Sequence, residues 1–159
     1  MKSLKKFFSK KVVLSLALVA AIVGVGGVSV AQFGPSRPTK AYHQGVAGFD
    51  HVTFNSFTGV PNIGDERNFL TGKIAGAPDG FYDPMNQVRD GNEILVRVYV
   101  HNNADSSLNA SGKGVAKNTR VRAEVPTSLT KAQQVKAYVS ADNAEPKQIY
   151  DTLDINANY

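Results

Sequence analysis

Two stretches of the chain alternate residue by residue between a mostly apolar side and a polar one, and this pattern limits the possible folds more than any other feature. The stretches are EILVRVYVHN, residues 93–102, and KNTRVRAEV, residues 117–125. A period of two is typical of β-strands that bury one face. The positions predicted to face the core are Ile94, Val96, Val98 and Val100 in the first stretch, and Thr119, Val121, Ala123 and Val125 in the second.

Residues 133–141 and 148–155 repeat the same alternation, and no stretch after residue 31 keeps a helical period for three turns. Several short strands separated by turn residues predict an all-β fold, an immunoglobulin-like antiparallel sandwich. We count five or six strands, whereas such a domain has about seven. Strand donation from a neighbouring chain would supply the difference, and so would an additional strand within residues 34–90.

The N-terminal segment predicts export. Five lysines lie within the first eleven residues, and Val12 to Ala31 then contains no charged residue. A cleaved signal peptide ending at Ala31 and an uncleaved membrane anchor both fit this pattern. In either case the lysines stay in the cytoplasm and the rest of the chain crosses the membrane, preceded by this signal or anchor helix.

The residues after the leader form two further regions. Residues 32–48 are polar and contain several glycines and prolines, which predicts a linker. Residues 49–159 are predicted to form the sandwich domain. Because the strand count is low, an alternative is that this domain is incomplete at its C-terminal end. Within it, residues 77–93 are rich in turn formers, and we expect a loop there.

Charge and cysteine content narrow the functional class. The N-terminal lysines account for the whole formal charge of +5, so the remaining chain is neutral and lacks the basic surplus of a nucleic-acid-binding protein. The sequence contains no cysteine, which excludes a disulfide framework. An exported, cysteine-free chain of this kind is typical of a bacterial envelope protein, located on the extracellular face of the cytoplasmic membrane or secreted.

Residues 96–126 resemble a known family. They carry an alternating strand, an Asn102-Asn103 turn, the sequence Ala116-Lys117-Asn118, a second alternating strand and Pro126. This order is similar to that of an immunoglobulin-like repeat domain of unknown function from bacterial cell-surface and secreted proteins. Residues 50–69 resemble the lead-in segment of membrane-tethered members. The resemblance implies a β-sandwich at the cell surface.

No residue pattern indicates a catalytic or metal centre. The histidines His43, His51 and His101 are at least eight positions apart, and no Gly-x-Ser-x-Gly turn or cysteine nucleophile is present. Residues 83–93 contain several oxygen donors, but their spacing does not match an EF-hand loop. We therefore predict no catalytic residue and no cofactor, with calcium at residues 83–93 as the alternative. The Asp65-Glu66 pair is interpreted as a solvated turn.

The candidate interaction surface consists of Tyr99, Tyr138, Asn102 and Asn103. Tyr99, Tyr138 and Tyr150 fall on outward or edge positions, where tyrosine rings can stack on sugars. Asn118 is predicted to be a structural turn residue that opens the second alternating strand and bonds loop backbone.

These features predict a non-enzymatic, exported structural or adhesive module whose partners are cell-envelope proteins or surface glycans. A secreted carbohydrate-binding module that uses exposed tyrosines is the first alternative. A secreted enzyme with a site built from residues 77–93 and 102–115 is the second.

Overall fold

The computed structural model describes residues 33–78, 80–127 and 131–157. The predicted signal peptide or anchor, residues 1–31, lies outside the described residues. The fold is all-β, with one short 3-10 helix at Ser106–Leu108. None of the helices in the described ranges is long and apolar enough to cross a bilayer. The strands are β1 Lys40–Ala41, β2 Phe57–Thr58, β3 Leu70–Ile74, β4 Met85–Val88, β5 Ile94–Val98, β6 Arg120–Glu124, β7 Ala132–Ser140 and β8 Gln148–Ala157.

The strands form three sheets. The largest has the order β4-β8-β7-β6, and two-stranded sheets join β3 to β5 and β1 to β2. The pairs β3/β5, β6/β7 and β7/β8 are antiparallel, as predicted. The pairs β1/β2 and β4/β8 are parallel, which the sequence pattern did not indicate.

The hydrophobic core lies between the four-stranded sheet and the β3/β5 sheet. Its residues come from both sheets and from the loop before β2. The two sheets approach closely at Gly72, since a Cβ there would lie 2.9 Å from Leu153 Cδ2 of β8. Strand β3 therefore packs directly over β8.

The later strands follow their predicted alternation. Val135, Ala137 and Val139 of β7 are all buried, as are Ile149, Leu153 and Ile155 of β8. Asp151 lies on the same face of β8 as these three apolar residues and is also fully buried. Its Oδ2 accepts hydrogen bonds from the N–H groups of Phe69 and Leu70, at 2.6 and 2.8 Å, which ties the start of β3 to β8.

The expected linker is part of the fold over the residues that the structure describes. Gly34 exchanges two backbone hydrogen bonds with Tyr150, and β1 pairs with β2. The Arg37 guanidinium is buried and donates to Ser56 Oγ at 3.1 Å and to the Asn55 carbonyl at 2.8 Å. These long-range bonds hold residues 33–48 against the domain. The local composition of the segment does not predict them.

The expected loop at residues 77–93 contains a strand. Met85–Val88 forms β4 and pairs in parallel with the end of β8. Met85 and Val88 are buried while the two residues between them are exposed. The sequence does not predict this strand, because its two buried apolar residues are three positions apart and do not show a period of two. The turn-forming residues around it favour a loop instead.

Candidate interaction surface

The core face of the four-stranded sheet extends beyond the layer that covers it. Val121 and Ala123 of β6 lie opposite Val139 and Ala137 of β7, so their side chains project to the core side of the sheet. Val139 and Ala137 are completely buried, whereas Val121 is 53% exposed. The prediction that the apolar row of β6 is buried is therefore wrong, because β6 overhangs the opposing sheet.

An apolar groove runs along this overhang. Val125, Pro126 and Ile94 line it together with Val96, Gln133, Val135 and Ile155, and its volume is about 240 Å³. Val125 is 67% exposed and Val96 is 41% exposed. Val96 belongs to the row of β5 that was also predicted to face the core. Contiguous exposed apolar surface of this kind marks interaction sites.

Strands β5 and β6 each keep a free edge among the described residues. β5 pairs with β3 on one side, and β6 pairs with β7 on one side. Every second residue of such an edge directs its N–H and C=O away from the sheet. These groups can accept another strand. In both strands the free edge coincides with exposed apolar side chains, Val96 in β5 and Val121 in β6.

Tyrosine and basic side chains form a second cluster on the opposite, outer face of the same sheet. The Tyr138 and Tyr150 ring centroids lie 6.4 Å apart, with their planes at 52°. Lys136 Nζ lies 4.1 Å from the Tyr150 centroid, and the Arg122 guanidinium lies 4.3 Å from that of Tyr138. The Tyr138 hydroxyl donates to Glu124 Oε2 at 3.0 Å. Each ring thus has a cation over it already, and the two rings are not coplanar.

Tyr99 does not join the Tyr138 cluster. Its hydroxyl donates to Glu66 Oε1 at 3.3 Å, and its carbonyl accepts from Asn55 Nδ2 at 2.8 Å. Burial and the neighbouring Glu66 carboxylate raise the Tyr99 pKa above its ordinary value. Tyr99 and Tyr138 therefore lie in different environments, and the structure does not bring the two predicted tyrosines together.

Asn103 is not a surface residue, contrary to its predicted place on the interaction surface. Only 1% of it is exposed. Its Oδ1 accepts from the Ser56 N–H at 2.6 Å, and its Nδ2 donates to Glu66 Oε2 at 2.9 Å. Asn102 is half-buried and donates to the Gly114 carbonyl at 2.8 Å. Both asparagines brace loops, and their side-chain groups are used within the chain.

Asn118 takes the backbone conformation expected of a turn residue, with φ at +51°. Its Nδ2 donates to Asp142 Oδ2 at 2.6 Å. The partner is thus a side chain of the turn between β7 and β8, and not the loop backbone that the sequence led us to expect. The bond links the entry of β6 to the turn before β8.

Glu66 is the centre of a buried polar network that the sequence did not reveal. It was interpreted as part of a solvated turn, yet it is completely buried. Burial raises its pKa, but bonds from His101, the Phe57 N–H and Asn103 outweigh this effect, so the pKa lies below its ordinary value. His101 Nδ1 lies 2.7 Å from Glu66 Oε1, and this contact raises the His101 pKa. The network holds the residues before β2 against those after β5.

The oxygen donors considered for calcium point to separate partners. Asp83 Oδ1 accepts from the Asp154 N–H, Asn86 Oδ1 from Asn156, and Asn92 Oδ1 from the Arg89 N–H. Within the described ranges, no three histidine, cysteine or acidic residues are grouped as metal ligands. Calcium at this stretch gains no support from the geometry.

The two loops considered for an enzyme site line separate cavities. A cavity of about 390 Å³ beside β4 is lined by Lys73, Ile74, Tyr82, Met85 and Asn86 among others. A second cavity of about 390 Å³ is lined by Asp50, His51 and residues of the 111–117 segment. These cavities share no residue, so neither combines the 77–93 and 102–115 segments.

Comparison with family models, with curated proteins and with solved structures found no match for this chain.

Proposed function

We propose that this chain is a non-enzymatic interaction module that accepts an extended protein strand along the free edge of β6. One observation carries the proposal: Val121 projects to the core side of the sheet and Val125, directly after β6, lines the groove there, yet they are 53% and 67% exposed. An apolar row at a free strand edge matches recognition by strand addition, in which backbone hydrogen bonds provide affinity and apolar pockets select side chains.

The wider setting is an immunoglobulin-like sandwich exported to the cell envelope. Two sheets packed around one core support the sandwich. The resemblance of residues 96–126 to the bacterial surface repeat supports the immunoglobulin-like family. Five N-terminal lysines followed by an uncharged apolar segment support export to the extracellular face of the cytoplasmic membrane, or secretion. The partners are then envelope proteins. Fractionation and N-terminal sequencing test this: Gln32 in the medium indicates secretion, Met1 or Lys2 in membranes indicates anchoring, and cytoplasmic protein contradicts export.

Selection from a library of displayed decapeptides tests strand addition. We expect the full chain to enrich peptides that alternate between apolar and polar residues, and the Val121→Lys variant to lose them. Val115→Lys is the matched control, because Val115 is 49% exposed and lies outside β6. Absence of alternating peptides from the wild-type selection would contradict the proposal.

A carbohydrate-binding module is the second candidate, supported by the adjacent, partly exposed rings of Tyr138 and Tyr150. Capture of the full chain by wall polysaccharide tests it. If this module is correct, Tyr138→Ala abolishes capture, while Tyr99→Ala leaves it unchanged because Tyr99 contacts Glu66 instead. Equal capture of all three proteins would exclude a tyrosine platform.

A further inference from the structure

We propose that the strand accepted by β6 is β6 of a second copy of this chain, paired antiparallel about a two-fold axis at Ala123. The inference rests on the proposed function, because it names the partner of the same edge. Pairing in this way joins the two four-stranded sheets into one eight-stranded sheet.

The charges of β6 select this register. Arg122 and Glu124 lie on the outer face, with side chains 62% and 50% exposed, and an Arg122 Nη1 to Glu124 Oε1 distance of 2.9 Å. With the axis at Ala123, Arg122 of each copy lies directly opposite Glu124 of the other. Two opposite-charge pairs then form across the new junction, and directly opposed pairs of this kind stabilise a sheet.

The apolar face of β6 is self-complementary in the same register. Val121 of one copy lies opposite Val125 of the other, twice. These are the most exposed large aliphatic side chains of the described residues. A register centred on Arg122 instead places that arginine against its own copy, and directly opposed like charges destabilise a sheet. The apolar and charged faces therefore favour the same axis.

The free edge of β5 exposes less apolar surface than that of β6. Leu95 and Val96 of β5 are 44% and 41% exposed, against 53% and 67% for Val121 and Val125. Antiparallel pairing of β5 with a second β5 about Val96 would also place Leu95 opposite Arg97 of the other copy, which pairs an apolar side chain with a charge. The β6 edge therefore has more apolar surface for a second copy to cover.

Disulfide trapping tests the register directly, since the chain contains no cysteine. Residues at the two-fold axis of an antiparallel pair have Cα atoms about 4.5–5.5 Å apart, within the range that a disulfide bridges. We expect the full-length Ala123→Cys variant, oxidised in whichever cell fraction contains the protein, to run as a covalent dimer. Val115→Cys is the matched control and should stay monomeric. Absence of the Ala123→Cys dimer, or equal dimer in the control, would overturn the proposal.

Charge reversal separates specific pairing from random collision. In the Ala123→Cys background, Arg122→Glu alone and Glu124→Arg alone each place like charges across the junction, and each should reduce the dimer about tenfold. Mixing the two variants restores both opposite-charge pairs, so a mixed dimer should form at the wild-type level, which also shows that both variants fold. No recovery on mixing would refute the register. If displayed peptides bind the edge but Ala123→Cys stays monomeric, strand acceptance holds and the self-partner is wrong.

Discussion

Replacing Asn103 by alanine tests whether the buried polar network holds the loops together. The change removes two buried hydrogen bonds, from the Ser56 N–H at 2.6 Å and to Glu66 Oε2 at 2.9 Å. The Ser56 N–H would be left without a partner in the interior, while Glu66 Oε2 keeps its bond from the Phe57 N–H at 3.0 Å. The Ser56 N–H thus loses its partner entirely, whereas the Glu66 carboxylate loses one of several hydrogen bonds.

An unsatisfied buried polar group costs about 1–3 kcal/mol, and a lost bond to a charged group costs about 1.5–3 kcal/mol. We expect Asn103→Ala to lower the unfolding free energy by about 3–4 kcal/mol. For a domain of this size, that corresponds to a decrease of roughly 12 °C in Tm. Urea denaturation and thermal melting, followed by circular dichroism, measure both quantities.

Two further variants make the result specific. Asn109→Ala, at an exposed position, should change the unfolding free energy by less than about 0.5 kcal/mol. Asn103→Asp keeps an acceptor for the Ser56 N–H but places a second carboxylate beside Glu66, so its destabilisation should be greater at pH 7 than at pH 4. A loss below about 1 kcal/mol in Asn103→Ala would refute the reasoning, because it would mean that the network contributes little to stability.

Three other predictions concern pH, a turn and packing. Burial raises the pKa of Asp151 to about 7, so the folded state binds its proton more tightly than the unfolded state. The unfolding free energy should therefore fall by about 2–3 kcal/mol from pH 5 to pH 8 in urea titrations. The raised pKa of His101 acts in the same direction. Asp151→Asn should flatten this pH profile, and a rise in stability with pH would contradict the role of Asp151. Asn118→Ala should lower the unfolding free energy by about 1–2 kcal/mol, because it loses the bond to Asp142 and leaves alanine at positive φ. Asn118→Gly should be less destabilising. Equal melting temperatures for the wild type and the alanine variant would exclude a structural role for Asn118. Gly72→Ala should lower the unfolding free energy by about 1–3 kcal/mol in the same denaturation assay, because the added Cβ would overlap the Met85 sulfur of β4. An unchanged urea midpoint would show that the two sheets are not closely packed at this position.

The sequence predicted the strands that carry local alternation. Val135, Ala137 and Val139 repeat every second residue over a long uninterrupted stretch, and β7 forms there with these residues inside. Strand β4 has no such signal, because Met85 and Val88 are its only buried residues. It becomes a strand through pairing with β8, about 70 positions later in the chain.

The polar site residues were less predictable than the strands. Asn103 and Glu66 are residue types that usually lie at the surface, and their sequence neighbourhoods are turns. They are buried because three separate segments supply hydrogen-bond partners to one another. No spacing rule within the chain relates residues 37 or 47 positions apart, so a single sequence carries no signal for this network.

The amino-acid sequence alone determines the strands that alternate, β5 to β8, and which side chains share a face of each. The period of two is a local property, set by backbone geometry within a few residues. Whether a face is covered depends on the width and position of the opposing sheet. Val121 and Val139 have the same pattern and lie opposite each other, yet one is half exposed and the other completely buried. Only the tertiary structure decides that difference, because coverage arises from contacts between segments distant in the chain, and it is this difference that leaves β6 available to a partner.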